Sequence, residues 1–444
     1  MKTDIPPVVI GIDFGATSSS AAFALAKPEH HEIKVLDKWP EAMSASCDQI
    51  PRRRSEIQSV VYYMQWGIDM VGWSGGLDEV FTPQGSLKSC VVSTLGFKSQ
   101  FLPPPDYPEG QTMGFPLVRD KSVEEIMVDY LRCLRVSVCE QTRDQLEAKG
   151  LDVEMGGRDM RFVITVPAFW GDGELVKFRK VARAAGFHSN DDKDKALSLS
   201  FISGLEAALL YADEMNHSTF NVGDAFLVID CGGHLVEAAT YEVKSKSPLK
   251  VERRTPVSVG SCGSAEATRL FMNIARRKIN KALYPKLGRA VGSMRYKVKR
   301  AFEKDMLLGD GLYKPSVQFE PLSEVPSGFL VADVGIEKEC PEADLAEGYM
   351  LFSEQEICPC FNTVVERAVG IVREQIEAVQ GWNGNGKLQG CLLVGGFNKC
   401  EYFSSRLQDA IASHGLSVIR PDDDGAAFAR GAVLAGLTVD TKRT

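Results

Sequence analysis

The sequence predicts an α/β fold built from a duplicated unit, and two observations support this. The segments VVIGIDFGATSSSAAFA and AFLVIDCGGHLVEAATY share one pattern, in which an apolar strand leads through Ile-Asp and a glycine-containing turn into a second strand. Strand-like apolar runs also alternate with segments of helical periodicity along the chain. An internal repeat indicates a duplicated architecture, and the alternation indicates the α/β class. Because 444 residues exceed one compact core, we expect two lobes, residues 1–222 and 223–444.

The elements of the first half follow from apolar runs and punctuating residues. Ile126, Tyr130, Leu134 and Val138 recur at helical spacing, and Gly186 suits the end of the next helix. Residues 64–120 are rich in Gly and Pro with weak periodicity, which favours a peripheral subdomain at about 40–115. The predicted strands are residues 8–14, 21–25, 59–63, 161–166 and 197–202, and the predicted helices are residues 123–146, 173–185 and a helix from 206.

The second half repeats this order. A glycine pair, Gly395-Gly396, follows its last long apolar run and is expected to open a helix. We expect a second peripheral subdomain at about 265–350 and a last helix, 425–437, that packs back on the first lobe. The predicted strands are residues 225–230, 235–243, 391–394 and 417–420, and the predicted helices are residues 264–282, 294–305, 361–379, 402–413 and 425–437.

Composition excludes several classes of protein. A net charge of -8 argues against a nucleic-acid surface, which would be basic. No apolar run approaches the ~20 residues that a membrane span needs, and the N-terminus lacks the pattern of a signal peptide. The 11 cysteines are scattered and cannot all pair, which is typical of free thiols in a reducing compartment. We therefore expect a cytoplasmic or nuclear protein without nucleic-acid or membrane partners. Cys358-Pro359-Cys360 lacks a second pair at zinc-finger spacing, which disfavours a metal site there.

Each half offers a turn suited to phosphate. A phosphate is held by backbone N–H groups that point inward, and glycine allows the backbone to approach it closely. The first turn contains Gly15 and Thr17, and the second contains Gly232 and Gly233. One such hairpin alone is more often a plain turn. Two in order, followed by Val-Gly-Gly before a predicted helix, favour a nucleotide cleft.

The remaining features of a nucleotide site also follow from residue type. Asp13 and Asp230 close the apolar strands, and a carboxylate there suits a hydrated Mg²⁺, which keeps most of its waters. Gly395-Gly396 offers N–H groups to a phosphate or room for a ribose. No Gly-x4-Gly-Lys-Ser/Thr motif occurs, and no Gly-x-Gly-x-x-Gly follows a strand. P-loop and Rossmann sites are therefore disfavoured.

These motifs resemble the nucleotide-binding domain of the heat-shock-protein-70 chaperones, within the actin-like ATPase (ribonuclease-H-like) superfamily. The chain looks closest to a divergent branch that lacks the standard substrate-binding domain, because its connector strand ends in Pro167-Ala168-Phe169-Trp170. Few residues follow the last predicted helix, so we expect no β-sandwich for client peptides after it. The resemblance implies a duplicated fold with two lobes around a nucleotide cleft. It covers nearly the whole chain in order. The matching segments are residues 10–18, 163–170, 230–233, 393–398 and 421–432.

The resemblance implies roles for individual residues. Asp13 and Asp230 would position Mg²⁺, through water, and the attacking water molecule. Lys98 weakly matches the phosphate-directed lysine of the first lobe. Lys299 and Arg300 match a Lys-Arg pair beside the adenine and ribose, although a solvated basic helix face explains them equally well. The implied contacts with ATP or ADP are Gly11, Gly15, Ala16, Thr17, Ser18, Gly232, Gly233, His234, Lys299, Arg300, Gly395, Gly396 and Lys399.

Departures from the family pattern bear on catalysis. Ala16 and Leu235 stand where the family has threonine, His234 replaces the third glycine of the second turn, and Ser203 stands where it has a glutamate. Glu206 is expected to point elsewhere on its helix, and a histidine accommodated in a variant turn explains His234 better than a base does. Losing such groups commonly slows a reaction by ~10²-fold or more. We therefore expect a weak ATPase or a nucleotide-binding pseudoenzyme.

Two other functions stay open at this point. One is a sugar or acyl kinase of the same superfamily, for which Asp172 and Asp191 are poor candidates because both lie in connectors. The other is an interaction module that has lost nucleotide, favoured by the degraded second turn. The resemblance further implies protein partners such as co-chaperones for a nucleotide-dependent, chaperone-like switch.

Overall fold

The computed structural model shows an α/β architecture with two large mixed sheets. The structure describes residues 7–27, 32–39, 55–65, 69–73, 88, 90–101, 121–151, 160–187, 199–215, 220–287, 298–299, 302–303, 327–330, 345–346, 349–380, 388–421 and 425–438.

The first sheet is assembled from the N-terminal half. Its strands are β1 Val8–Phe14, β2 Ser18–Leu25, β3 Lys34–Val35, β4 Glu56–Gln58, β8 Met160–Val166 and β9 Leu199–Ser203, and β5 Val60–Met64, β6 Met70–Trp73 and β7 Val91–Leu95 form a separate small sheet. The order is β3-β2-β1-β8-β9, with β4 beside β2. Strands β1 and β2 form an antiparallel hairpin, whereas β8 runs parallel to β1 and β9 parallel to β8.

The second sheet repeats this topology. Its strands are β10 Ala225–Cys231, β11 Val236–Lys246, β12 Leu249–Arg253, β13 Ser258–Gly260, β17 Leu388–Val394 and β18 Val418–Ile419, and β14 Ser327–Leu330, β15 Leu345–Ala346 and β16 Tyr349–Phe352 form another small sheet. The order is β12-β11-β10-β17-β18, with β13 beside β11. Here too an antiparallel hairpin is followed by two parallel strands. The prediction of a duplicated α/β fold is confirmed.

Eight α-helices lie in the described part of the chain. They are α1 Phe97–Phe101, α2 Val123–Glu147, α3 Asp172–Ala184, α4 Gly204–Met215, α5 Ser264–Leu287, α6 Glu354–Gln380, α7 Glu401–Ala412 and α8 Ala427–Thr438. The predicted stripe of α2 is fully buried. Its start is fixed by a capping box, in which the Glu125 N–H donates to Ser122 and the Glu125 carboxylate accepts the Ser122 N–H. The described helices include none that is long and apolar enough to span a bilayer.

One predicted helix start was wrong. Residues 361–379 were expected to form a helix, but α6 begins at Glu354 and carries Pro359 inside it. The Ser353 N–H donates to the Glu356 carboxylate at 2.9 Å, which caps the earlier start. Cys358 and Cys360 therefore lie on a helix. Among the described residues, no cluster of three or more His, Cys, Asp or Glu side chains is arranged to hold a metal directly.

Each sheet has a hydrophobic core of its own. Phe14 stacks on Phe178 in the first core, with ring centroids 6.0 Å apart. Phe271 stacks on Phe302 in the second, with centroids 4.0 Å apart. Aromatic pairs at these separations add to the stability that burial provides.

Helices α4 and α8 lie between the two cores. The Leu205 side chain of α4 packs with Val228 of the second sheet, and Val433 of α8 packs with Val9 of the first. Glycines allow the close approach: a Cβ atom on Gly431 would lie 1.9 Å from the Ala207 carbonyl oxygen. These helices set the spacing between the two hairpins.

Candidate functional site

The turns of the two repeated hairpins meet in the structure. The first turn, residues 15–17, joins β1 to β2, and the second turn, residues 232–235, joins β10 to β11. A Cβ atom on Gly233 would lie 2.2 Å from the Thr17 methyl carbon, so any larger residue would collide with the first turn. The glycine is therefore required by a contact between the hairpins. Their adjacency defines a cleft with glycine backbone on both walls.

The first turn is held in place from behind. The Ser59 hydroxyl donates to the Gly15 carbonyl oxygen at 2.9 Å, and the Ser59 N–H donates to the Thr17 carbonyl oxygen at 2.9 Å. Two of the three carbonyl groups of the turn thus accept hydrogen bonds from Ser59, which precedes β5. Gly11 lies farther back on β1, where a Cβ atom would be 2.2 Å from the Ala429 carbonyl oxygen. Gly11 is explained by the packing of α8, and its predicted contact with nucleotide stays a prediction.

Asp13 lies at the end of β1 with its side chain fixed. Its Oδ1 atom accepts a hydrogen bond of 2.5 Å from the Thr165 hydroxyl, which belongs to the parallel neighbour β8. A short hydrogen bond to a charged acceptor is stronger than one between neutral groups. The structure therefore presents the Asp13 carboxylate in one orientation.

Lys98 places a cation among carboxylates from both sheets. Its ammonium group donates to the Phe14 carbonyl oxygen and lies 5.0 Å from the centre of the Phe14 ring. Burial lowers the pKa of Lys98, while the nearby charges of Asp13, Glu237 and Asp230 oppose that shift. The Lys98 amine is thus within electrostatic range of three carboxylates, which come from both sheets. This is the arrangement expected of a site for a metal–phosphate complex.

Glu237 is a member of this cluster that the motifs did not reveal. It lies directly opposite Asp230 in the β10–β11 register, and its side chain is only 5% exposed. One carboxylate oxygen accepts the Ala168 N–H at 3.3 Å. Burial raises the pKa of Glu237 to about 7. Its other oxygen, Oε1, is buried and has no hydrogen-bond partner among the described residues.

A signal for Glu237 was present in the sequence. Residues paired across an antiparallel hairpin point to the same face, so a tight turn after Cys231 places Glu237 beside Asp230. The family motif indicates only that Ser203 replaces a glutamate, and it says nothing about Glu237. In the structure the Ser203 hydroxyl instead lies 3.3 Å from the Tyr241 hydroxyl and accepts the Glu206 N–H. Glu206 lies in the first turn of α4, and burial raises its pKa.

His234 sits in the second turn as a half-buried, neutral side chain. Burial, together with the positive charge of Lys299, lowers its pKa to about 4. Its Nδ1 atom is enclosed and has no hydrogen-bond partner within the described ranges. Lys299 forms an ion pair of 3.4 Å with Glu303. Arg300 lies outside the described residues, as does Asp191.

The glycine pair near the end of the chain adopts a different structure from the one predicted. Gly396–Lys399 is a single 3-10 turn rather than the start of the next helix, because Cys400 is extended. The pair still borders the cleft. Gly395 has a φ of 93°, and a Cβ atom on it would lie 2.3 Å from Asp230 Oδ1. Only glycine fits this left-handed backbone against the Asp230 carboxylate.

The last predicted site residues meet at the edge of the cleft. The Ser18 hydroxyl donates to one Glu56 oxygen at 3.3 Å. The Lys399 ammonium group lies 3.8 Å from the other. Ala16 lies in the first turn and is partly exposed, and Gly232 belongs to the second turn. Asp172, the candidate for kinase chemistry, lies at the exposed start of α3.

The donor set suits a magnesium ion held through its waters. Asp13 and Asp230 come from equivalent strands, and the buried Glu237 oxygen without a partner lies in the same cluster. Mg²⁺ keeps several waters and takes one or two carboxylates together with phosphate oxygens. A site of this kind needs no ready-made cage of protein ligands, and the described residues form none.

Fold and topology define the class as a two-lobed, actin-like α/β protein. Comparison with curated proteins adds a relative, the heat shock 70 kDa protein 12B of Homo sapiens, which is 22% identical over 496 residues. The alignment spans 97% of this chain and 68% of the human protein. No model of a known protein family matches the chain. The distant similarity supports an ATPase-type module related to the heat-shock-protein-70 proteins.

Proposed function

We propose that this chain binds ATP and ADP with Mg²⁺ and uses the bound nucleotide as a switch between its lobes, with weak or lost hydrolysis. The observation that carries the proposal is the position of Lys98, whose amine donates to the Phe14 carbonyl oxygen beside the first turn and is influenced by the charges of Asp13, Asp230 and Glu237. A cation with carboxylates from both sheets suits a phosphate chain accompanied by a metal ion. The distant heat-shock-protein-70 relative supports the same function.

Each part of the site has a task in binding. The backbone N–H groups of the two turns are the phosphate donors, as in other glycine-rich anion sites, apart from that of Gly232, which donates to the Leu235 carbonyl oxygen at 2.9 Å. Thr165 orients the Asp13 carboxylate toward one direction. Asp13 and Asp230 would hold Mg²⁺ through its waters, and the ion would neutralise phosphate charge. Because donors come from both hairpins, nucleotide stabilises the closed arrangement of the lobes.

Hydrolysis is expected to be slow because the site lacks two hydroxyls and one carboxylate that the heat-shock-protein-70 family has at the matching positions. Ala16 and Leu235 offer no hydroxyl, and Ser203 is engaged with Tyr241. Removing one such donor commonly costs ~10²-fold in rate. Glu237 remains as a carboxylate beside Asp230. Slow turnover suits a switch, because the ATP-bound state then persists for longer before the nucleotide is hydrolysed.

The proposal is tested by isothermal titration calorimetry with Mg-ADP and Mg-ATP, followed by a phosphate-release assay with ATP alone. We expect saturable binding of both nucleotides and a release rate that falls further in Asp230→Ala. Binding without any release identifies a nucleotide-binding pseudoenzyme. Turnover stimulated by a sugar would favour a kinase, and the absence of binding would contradict the proposal.

One observation favours a second candidate, an interaction module that has lost nucleotide. Lys399, which the resemblance places along the adenosine, is paired with Glu56 from the first sheet. A cation engaged in this way is partly satisfied without nucleotide. The same calorimetric titration separates the two functions, because the second predicts no heat of binding.

A further inference from the structure

We infer that Glu56 is a positioning residue of the cleft: it holds Lys399 of the second sheet against Ser18 of the first and so controls how fast nucleotide leaves. This inference rests on the proposed nucleotide site. Glu56 belongs to none of the motifs of the two repeated hairpins. Its position was found from contacts that cross between the sheets.

Glu56 reaches both walls of the cleft from β4. It lies opposite Ser20 in the β2–β4 register, next to the first turn. One carboxylate oxygen accepts the Ser18 hydroxyl at 3.3 Å, and the other lies 3.8 Å from the Lys399 ammonium group. A single side chain therefore connects the hairpin that begins the first repeat with the turn that follows β17.

The backbone at Gly425 encloses the same side chain from a third direction. A Cβ atom on Gly425 would lie 2.5 Å from Glu56 Cγ, so the carboxylate arm packs directly on the backbone before α8. Gly425 also has a φ of 93°, which favours glycine. The Glu56 side chain is thus held by close packing against the Gly425 backbone. This packing restricts its conformations and keeps its carboxylate near Lys399.

The ion pair between Glu56 and Lys399 should slow the release of nucleotide from the cleft. If Lys399 lies along the adenosine, as the resemblance implies, the ion pair with Glu56 orients it and closes the edge of the cleft. The pair must separate before the lobes open. The Glu56 and Lys399 side chains are 36% and 39% exposed. An exposed ion pair contributes little, so its loss should change a rate by about two- to fivefold. Salt should weaken it.

The test is the dissociation rate of a fluorescent ADP analogue with Mg²⁺ from wild type and from Glu56→Gln. We expect dissociation from the variant to be about two- to fivefold faster. Raising the salt concentration should speed release from wild type toward the rate of the variant. Glu32→Gln is the matched control, because Glu32 pairs with Lys34 and Lys149 on the first lobe, at 3.5 and 3.0 Å. Equal rates for wild type and Glu56→Gln would overturn the inference.

A second measurement separates failure of this inference from failure of the proposed function. Hydrogen exchange of the nucleotide-free protein reports the contact itself. In Glu56→Gln, amides of residues 15–18 and 396–399 should exchange faster than in wild type and in Glu32→Gln. Unchanged exchange at both segments overturns the inference. If wild type binds no nucleotide but both segments exchange faster in the variant, the proposed function fails and the positioning contact stands.

Discussion

The Thr165 hydroxyl donates a hydrogen bond of 2.5 Å to Asp13 Oδ1, and this contact joins the ends of two parallel strands at the cleft. Thr165 is 2% exposed, so water cannot easily replace it. The hydroxyl therefore fixes the carboxylate that we assign to the hydrated metal ion. A threonine at this position has a chemical task that a β-branched apolar residue would not fulfil.

Replacing Thr165 with valine should weaken the binding of Mg-ADP. The substitution keeps the shape and removes the donor to a charged acceptor, a loss of roughly 1.5–3 kcal/mol, so the Kd should rise about tenfold or more. Calorimetric titration measures the change. Thr142→Val is the matched control, since Thr142 is buried in α2 and its hydroxyl has no partner in the described part of the chain. An equal effect of both variants would contradict the role of Thr165.

Glu237 should make stability depend on pH in a defined direction. Its folded pKa is raised from an ordinary 4.5 to about 7 by burial. Between these values the unfolded chain releases a proton that the folded chain retains, so the contribution of Glu237 to stability is largest below pH 4.5 and falls as pH rises toward 7. The upper limit of this loss is on the order of 3 kcal/mol. Urea unfolding of wild type and Glu237→Gln across this range isolates this contribution, because His234 titrates in both proteins: the free energy of unfolding of wild type should fall relative to that of the variant as pH rises, and parallel curves would refute the prediction.

His234 should act on the acid side with the opposite sign. Its folded pKa is lowered from 6.5 to about 4 by burial and by Lys299. Below pH 6.5 the unfolded chain gains a proton that the folded chain does not accept, so the free energy of unfolding decreases as pH falls toward 4. His234→Gln should lose less stability over that range than wild type does. The same denaturation series, extended to pH 4, measures the difference, and a steeper loss in the variant would contradict the assignment.

The packing of α8 gives a prediction for stability alone. Gly431→Ala would place a methyl group 1.9 Å from the Ala207 carbonyl oxygen, which is backbone and cannot rotate away. We expect a loss of about 3 kcal/mol or more, as overpacking a tight interface produces. Gly370→Ala is the control, because that glycine lies within α6 and a Cβ atom there meets nothing within 4 Å. The control should gain about 0.5–1 kcal/mol. Equal midpoints in urea would contradict the packing.

The sequence predicted the parts of the fold that local pattern determines. Equivalent Ile-Asp-x-Gly hairpins predicted the repeat, and both sheets follow one topology. The buried stripe of α2 was predicted by spacing alone. The early start of α6 was missed: the cap between Ser353 and Glu356 begins the helix at Glu354, and the helix continues through Pro359.

The candidate site was predictable only in part. The sequence indicated Asp13 and Asp230 as candidate site residues because strand ends and glycine turns mark them locally. Glu237 required the hairpin register, which a motif does not state. Glu56 and Lys399 lie far apart in sequence and are brought together by the tertiary fold. No periodicity or motif spacing in the sequence links these two residues, so their ion pair could not be predicted from the sequence alone.

The most direct test of the central claim is the thermal unfolding of the purified chain with millimolar Mg-ATP or Mg-ADP. A ligand that binds only the folded state at 100 times its Kd adds about 2.7 kcal/mol. We therefore predict a rise in Tm of a few degrees, reduced in Asp13→Asn and in Asp230→Asn. An unchanged Tm of wild type with both nucleotides would contradict a nucleotide site between the two hairpins.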